Sequence, residues 1–84
     1  MALGVAALND YEIEEGHQHA DRALAINPNL PAARQLRADL FMARDQFAEA
    51  MAELERAKEI NPIDEETLAR IAACHLYGRR AGEF

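Results

Sequence analysis

His17 and His19 are the residues nearest to a metal-binding pair, and Cys74 beside His75 holds the ingredients of a nucleophile and its base. Neither spacing suits the chemistry. Helical residues two apart point about 200° away from each other, whereas zinc-binding helices present ligands three or four apart. Adjacent helical residues do not face one another either, and no Asn or Asp is placed to orient His75 as a base for Cys74. Glu14 with Glu15 and Glu65 with Glu66 read as acidic partners of helix N-termini rather than as carboxylate dyads. The chain contains no Ser, no Cys pair and no Gly-rich phosphate loop. No enzyme constellation, metal site or cofactor site emerges, and the expectation is a protein that is not an enzyme.

Composition narrows the class further. Half of the 84 residues are apolar, Gly and Pro are few, and Val, Ile and Thr are scarce, which favours helix over strand. No apolar run is long enough to span a bilayer, so no membrane partner is expected. The net charge of -6 repels a phosphate backbone unless the cations gather on one face. They do not gather: Arg34, Arg37, Arg44, Arg56 and Lys58 alternate with Asp39, Asp45, Glu49, Glu53, Glu55 and Glu59, so no nucleic-acid partner is expected. The lone Cys74 forms no internal disulfide, and a reducing, cytoplasmic setting is the default expectation.

The elements that would position any site are helices. Asn9 or Asp10 caps a helix to about Ile26, with Ile13, Gly16, Ala20, Ala23 and Leu24 on its inner face. Pro31 sits in the first turn of a second helix reaching about Ala43. Asp45 is expected to cap a third, from about Gln46 to Glu59, whose stripe is Phe47, Ala50, Met51, Leu54 and Ala57. Asp64 caps a fourth, with Glu65 and Glu66 in its first turn and Gly78 as its expected stop. Ala2 to Leu8 reads as what remains of an earlier helix, and Ala81 to Phe84 as the start of another. Short loops require successive helices to fold back antiparallel.

The phrase Ile-Asn-Pro occurs twice, and Pro62 lies 34 residues after Pro28. The same offset relates Arg56 to Arg22, Ala57 to Ala23 and Ile60 to Ile26. A helix-turn-helix of this period with a closing proline resembles the tetratricopeptide repeat. The stretch from Pro31 to Asp64 carries the resemblance most fully, through Ala38 and Phe41 in its first helix and Ala50, Leu54, Ala57 and Pro62 in its second. The preceding unit fits through Leu3, Gly4, Ala7, Gly16, Ala20, Ala23 and Pro28, and the following one opens with Leu68, Ala69, Arg70, Ile71 and Ala72. Departures fall at Arg34 and Arg37, where large apolar residues are usual, and at His75, which stands in an aromatic slot.

The resemblance implies an all-α, right-handed α-α superhelix of about two and a half helix-turn-helix repeats. It would form one domain over residues 1–84: a partial repeat in 1–30, a complete one in 31–64 and a partial one in 65–84. Gly4, Ala23, Pro28, Ala38, Phe41, Ala50, Leu54, Ala57, Pro62 and Ala72 are then the repeat-packing positions. Stacked hairpins of this family line a concave groove with their first helices. By that geometry Val5, Leu8, Gln35, Asp39, Met42, Ala69, Ala73, Leu76 and Tyr77 face the groove.

The function implied is a non-catalytic protein–protein interaction or scaffold module. Relatives that grip acidic chaperone tails do so with Lys, Arg and Asn at groove positions, and here only Arg70 and Asn9 are of that kind. The expected ligand is therefore an apolar or amphipathic peptide or helix. The repeat register also predicts a piece of a longer repeat protein whose ends expose Leu3 and Leu8 on one side and Ile71, Leu76 and Phe84 on the other. Self-association through those end helices is a further expectation. The alternative is an accessory segment docking intramolecularly within a larger enzyme.

Overall fold

The computed structural model describes residues 9–82, and they form four α-helices: α1 (Asp10–Ile26), α2 (Pro31–Ala43), α3 (Phe47–Ile60) and α4 (Glu65–Arg80). The expected helix over residues 2–8, the groove positions Val5 and Leu8, the packing position Gly4, and the end residues Leu3 and Phe84 lie outside the described residues.

The helix starts follow from their caps. Asn9 Oδ1 accepts from the Glu12 N–H at 2.8 Å while Glu12 Oε1 accepts from the Asn9 N–H at 3.2 Å, a reciprocal capping box. Asp64 does the same work for α4 by accepting from the Glu66 N–H at 3.1 Å. α2 has no side-chain cap; Pro31 opens it and needs no N–H partner there.

The two Ile-Asn-Pro breaks are built alike. Asn27 and Asn61 both leave the helix in extended conformation, at φ -141°, ψ 95° and φ -143°, ψ 91°, as a residue before proline must. Each still donates its N–H to the carbonyl four residues back, Ala23 or Ala57.

Two boundaries differ from those the sequence implies. Asp45 does not cap α3: it sits at φ 58°, and α3 opens at Phe47 behind Gln46, with no side-chain cap bond. Asp45 instead closes α2. Its N–H reaches the Met42 carbonyl at 3.0 Å and the Gln46 N–H reaches the Phe41 carbonyl at 2.8 Å, the two bonds of a Schellman ending. Gly78 does not stop α4 either, for it lies buried inside the helix. The stop comes at Ala81 and Gly82, where Gly82 at φ 81° supplies the left-handed turn and donates to the Arg79 carbonyl at 3.1 Å. Ala81 ends a helix there rather than beginning one.

Among the described helices α2 lies at the centre, packed on α1, α3 and α4, whereas α1 packs only on α2. The ion pairs show the direction of α1: Arg44 near the end of α2 meets Asp10 at the start of α1, and the earlier Arg37 meets the later Asp21. The helices run antiparallel. Ala38, Phe47, Ala50, Leu54 and Cys74 form the main core, with Phe41, Met42, Met51, Ile71 and Tyr77 packed around it. Small residues at Ala38, Ala50 and Ala57, all 0% exposed, let the backbones approach closely, and Leu54 fills the space beside them.

Four pairs of residues 34 apart share their burial: Ile13 with Phe47, Ala20 with Leu54, Ala33 with Thr67, and Leu40 with Cys74 are all buried. The sequence period is therefore also a period of packing. The chain is an all-α row of helix hairpins.

Candidate functional site

Within this row, α2 and α4 sit side by side, and the described residues expected to face a groove fall on these two helices. Their polar members, Gln35 and Asp39, are each held by side chains of α4 or its cap. Arg70 Nε donates to both carboxylate oxygens of Asp39, at 3.1 and 3.3 Å, with the two side chains 31% and 19% exposed. Arg70 also leans on Glu66, its neighbour one turn earlier, at 3.8 Å. The one arginine of a kind suited to gripping a carboxylate is thus already gripping one.

Gln35 is a correction. Only 5% exposed, it donates through Nε2 to Thr67 Oγ1 at 2.8 Å and to Asp64 Oδ2 at 2.9 Å, so it joins α2 to α4 instead of facing a ligand. The Thr67 hydroxyl donates in turn to Asp64 Oδ2 at 3.2 Å. Asp64 therefore caps α4 with one oxygen and anchors Gln35 with the other. A buried amide left without such partners would cost about 1–3 kcal/mol, which explains why this triad is complete.

The other groove positions are apolar. Ala69 is exposed, Ala73 half-buried and Leu76 50% exposed, while Met42 and Tyr77 are half-buried and pack against the core. Leu36 and Leu68, at 39% and 41%, add apolar surface on the same two helices.

Among the packing positions, Ala38, Ala50, Leu54 and Ala57 are 0% exposed, and Phe41 and Ala23 are half-buried. Three positions depart from expectation. Pro28 and Pro62 are exposed, so they act by ending helices and not by filling a contact. Ala72 is exposed because no helix among the described residues covers its side of α4.

Two clusters have no counterpart in the sequence pattern. Arg34 and Arg37 occupy apolar slots because Glu53 of α3 receives them both, at 3.1 and 3.5 Å, with its side chain only 13% exposed. Arg37 extends the bridge to Asp21 of α1 at 3.3 Å. The Nε atoms of both arginines are buried and have no hydrogen-bond partner. The only sequence signal was the oddity of two arginines at apolar positions.

His17 is the second. It is half-buried, and its ring lies 4.8 Å from Phe41 at 53°. Burial lowers its pKa below the ordinary 6.5, as does the positive charge of Arg37 and of Arg44, against the opposing pull of Asp21 and Glu14. His19 is exposed.

Cys74 is fully buried with Sγ 3.4 Å from the Phe47 carbonyl, and burial pushes its thiol pKa up. That is the opposite of what an active thiolate requires. Among the described residues no cluster of three or more His, Cys, Asp or Glu is arranged to hold a metal ion, and no helix is long and apolar enough to cross a membrane. An open cleft of about 420 Å³, lined by Pro28, Asn29, Arg34, Arg56, Glu59 and Ile60, involves none of the expected groove residues.

No curated protein and no solved structure matches the chain. The family model of the tetratricopeptide repeat matches residues 7–74, most of the sequence and nearly all of α1 to α4. With the helix hairpins, the small packing residues and the shared 34-residue period of burial, this places the chain in the tetratricopeptide-repeat family.

Proposed function

We propose that this protein is a non-catalytic interaction module that receives an apolar or amphipathic peptide or helix along the face shared by α2 and α4. Tetratricopeptide repeats generally mediate protein–protein interactions, and the identity of the side chains on that face carries the finer reading. The Asp39–Arg70 pair is the observation that supports it most. It neutralises the groove's cation from within the protein, and the surface beside it is alanine and leucine. A carboxylate ligand would have to displace Asp39 before reaching Arg70, whereas an apolar side chain needs only to cover Ala69, Ala73 and Leu76.

On this reading Pro31–Asp64 forms one full repeat, with parts of two others on either side, and the module acts as a scaffold. The test is calorimetric titration of the intact chain with two peptides, one an amphipathic helix and one acidic with a free terminal carboxylate. Binding of the amphipathic peptide with a dissociation constant of about 1–100 μM supports the proposal. Binding in that range by the acidic peptide alone would overturn it.

A further inference from the structure

α4 turns Thr67, Cys74 and Gly78 inward, where all three are buried. At about 100° per residue, the opposite side carries Glu65, Leu68, Ala72, Leu76 and Arg79. Every one of these is exposed, Leu68 to 41% and Leu76 to 50%.

The internal repeat shows what such a side is built to meet. Ala38 stands 34 residues before Ala72, and on α2 it is 0% exposed, packed with Phe47, Ala50 and Leu54 of the antiparallel α3. The corresponding side of α4 has the same small residue at its centre and leucines on either side. Among the described residues no helix covers it.

The charges at the rims identify the occupant. α4 begins with Glu65 and Glu66 and ends with Arg79 and Arg80. Reversed about Ala72, the row maps onto itself: Glu65 falls opposite Arg79, Leu68 opposite Leu76, and Ala72 opposite Ala72. A uniformly acidic or uniformly basic partner helix would match one end and be repelled at the other. A parallel copy would set Glu65 against Glu65. An antiparallel copy matches both ends at once.

We propose that this face pairs with the same face of a second copy of the chain, α4 against α4, antiparallel about a twofold axis through Ala72. The interface is isologous, so each favourable contact occurs twice. Ala72 at the crossing lets the two helices approach closely, and Leu68 of each copy packs on Leu76 of the other. This surface is separate from the α2–α4 groove except along Leu76, which borders both, so Leu76 is left unchanged in the test.

Sedimentation equilibrium of the intact chain, from about 10 μM to about 1 mM, should give a mass rising from one chain toward two. Ala72→Arg should raise the dissociation constant at least about tenfold by placing two cations at the axis. Glu65→Lys alone and Arg79→Glu alone should each weaken association about tenfold, because each sets like charges opposite one another. An equimolar mixture of those two single variants should associate like the unaltered protein, since the swapped charges match again across the axis. All these positions are exposed, and the circular dichroism of each variant should be unchanged. A mass of one chain at every concentration would overturn the proposal. So would a dimer indifferent to Ala72→Arg, or a mixture no better than the single variants. Peptide binding in the groove by Ala72→Arg should persist, so the failure of one reading is distinct from the failure of the other.

Discussion

Arg34 of α2 donates to Glu53 of α3 across 3.1 Å, and the two side chains are only 14% and 13% exposed. Glu53 also receives Arg37, so one carboxylate holds two arginines at positions where the family places apolar bulk. Removing it by Glu53→Ala would leave the Arg34 guanidinium enclosed and unpaired and Arg37 with Asp21 alone, and should cost about 2–4 kcal/mol in chemical denaturation. Replacing all three at once by leucine should be neutral or stabilising, because it removes the desolvation cost together with the charges. A Glu53→Ala protein as stable as the original would show that the bridge contributes only surface electrostatics.

A second prediction concerns Gly16. A Cβ at this position would lie 2.8 Å from Leu40 Cδ1 and 3.0 Å from Cδ2, and Leu40 is 2% exposed. Gly16→Ala gains about 1 kcal/mol of helix propensity but forces the packed leucine aside, so a net loss of about 0.5–1 kcal/mol is expected. In a Leu40→Ala background the clash is gone, and the same change should stabilise by about 1 kcal/mol. Thermal unfolding of the four proteins completes the cycle, and additive effects would show that the contact is not tight.

Stability should fall in mild acid because of His17. Its folded pKa is lowered from the ordinary 6.5 by burial first, and then by Arg37 and Arg44, with Asp21 and Glu14 of α1 acting in the other direction. A base whose folded pKa is lowered binds more protons when unfolded. The His17 contribution to stability is therefore fully present above 6.5 and is lost as pH falls from there toward the folded value. The melting temperature should drop as pH falls below about 6.5, and His17→Phe, which keeps the ring contact with Phe41, should flatten that part of the profile. An unchanged slope would assign the acid sensitivity elsewhere.

Asp45 adopts φ 58° at the end of α2 and makes no side-chain cap bond to α3. Asp45→Gly should therefore raise stability by about 0.5 kcal/mol, since glycine enters the left-handed region freely. Asp45→Val should lower it by about 1 kcal/mol or more. Equal melting temperatures for all three proteins would indicate that the turn carries no strain.

Most of the fold is legible in the sequence because its signals are local. Asn9 and Asp64 announce helix starts, Pro28 and Pro62 impose helix ends, and the apolar stripe of α3 follows directly from its spacing. The repeat register adds non-local information, since it relates Ala23 to Ala57 and Ile26 to Ile60 before any contact is seen.

What escaped is what depends on partners distant along the chain. Spacing places Gln35 on a face of α2 but is silent about Thr67 and Asp64, 32 and 29 residues away, which take it out of solvent. Glu53 likewise gives no sign that it will receive two arginines. Asp45 and Gly78 were ambiguous for another reason: aspartate suits both a cap and a left-handed turn, and a glycine ends a helix only where the chain after it turns away.

On the proposed function, the α2–α4 face binds an apolar or amphipathic segment because Asp39 has already neutralised Arg70. The most direct measurement is an amide chemical-shift titration of the intact chain with an amphipathic helical peptide, repeated with an acidic peptide on the Asp39→Ala variant. The account predicts shifts grouped at Asp39, Met42, Ala69, Ala73 and Leu76 with the first, and a gain of acidic-peptide binding only when Asp39 is removed. Shifts grouped instead around Pro28, Arg56 and Ile60, or acidic-peptide binding with Asp39 intact, would contradict it.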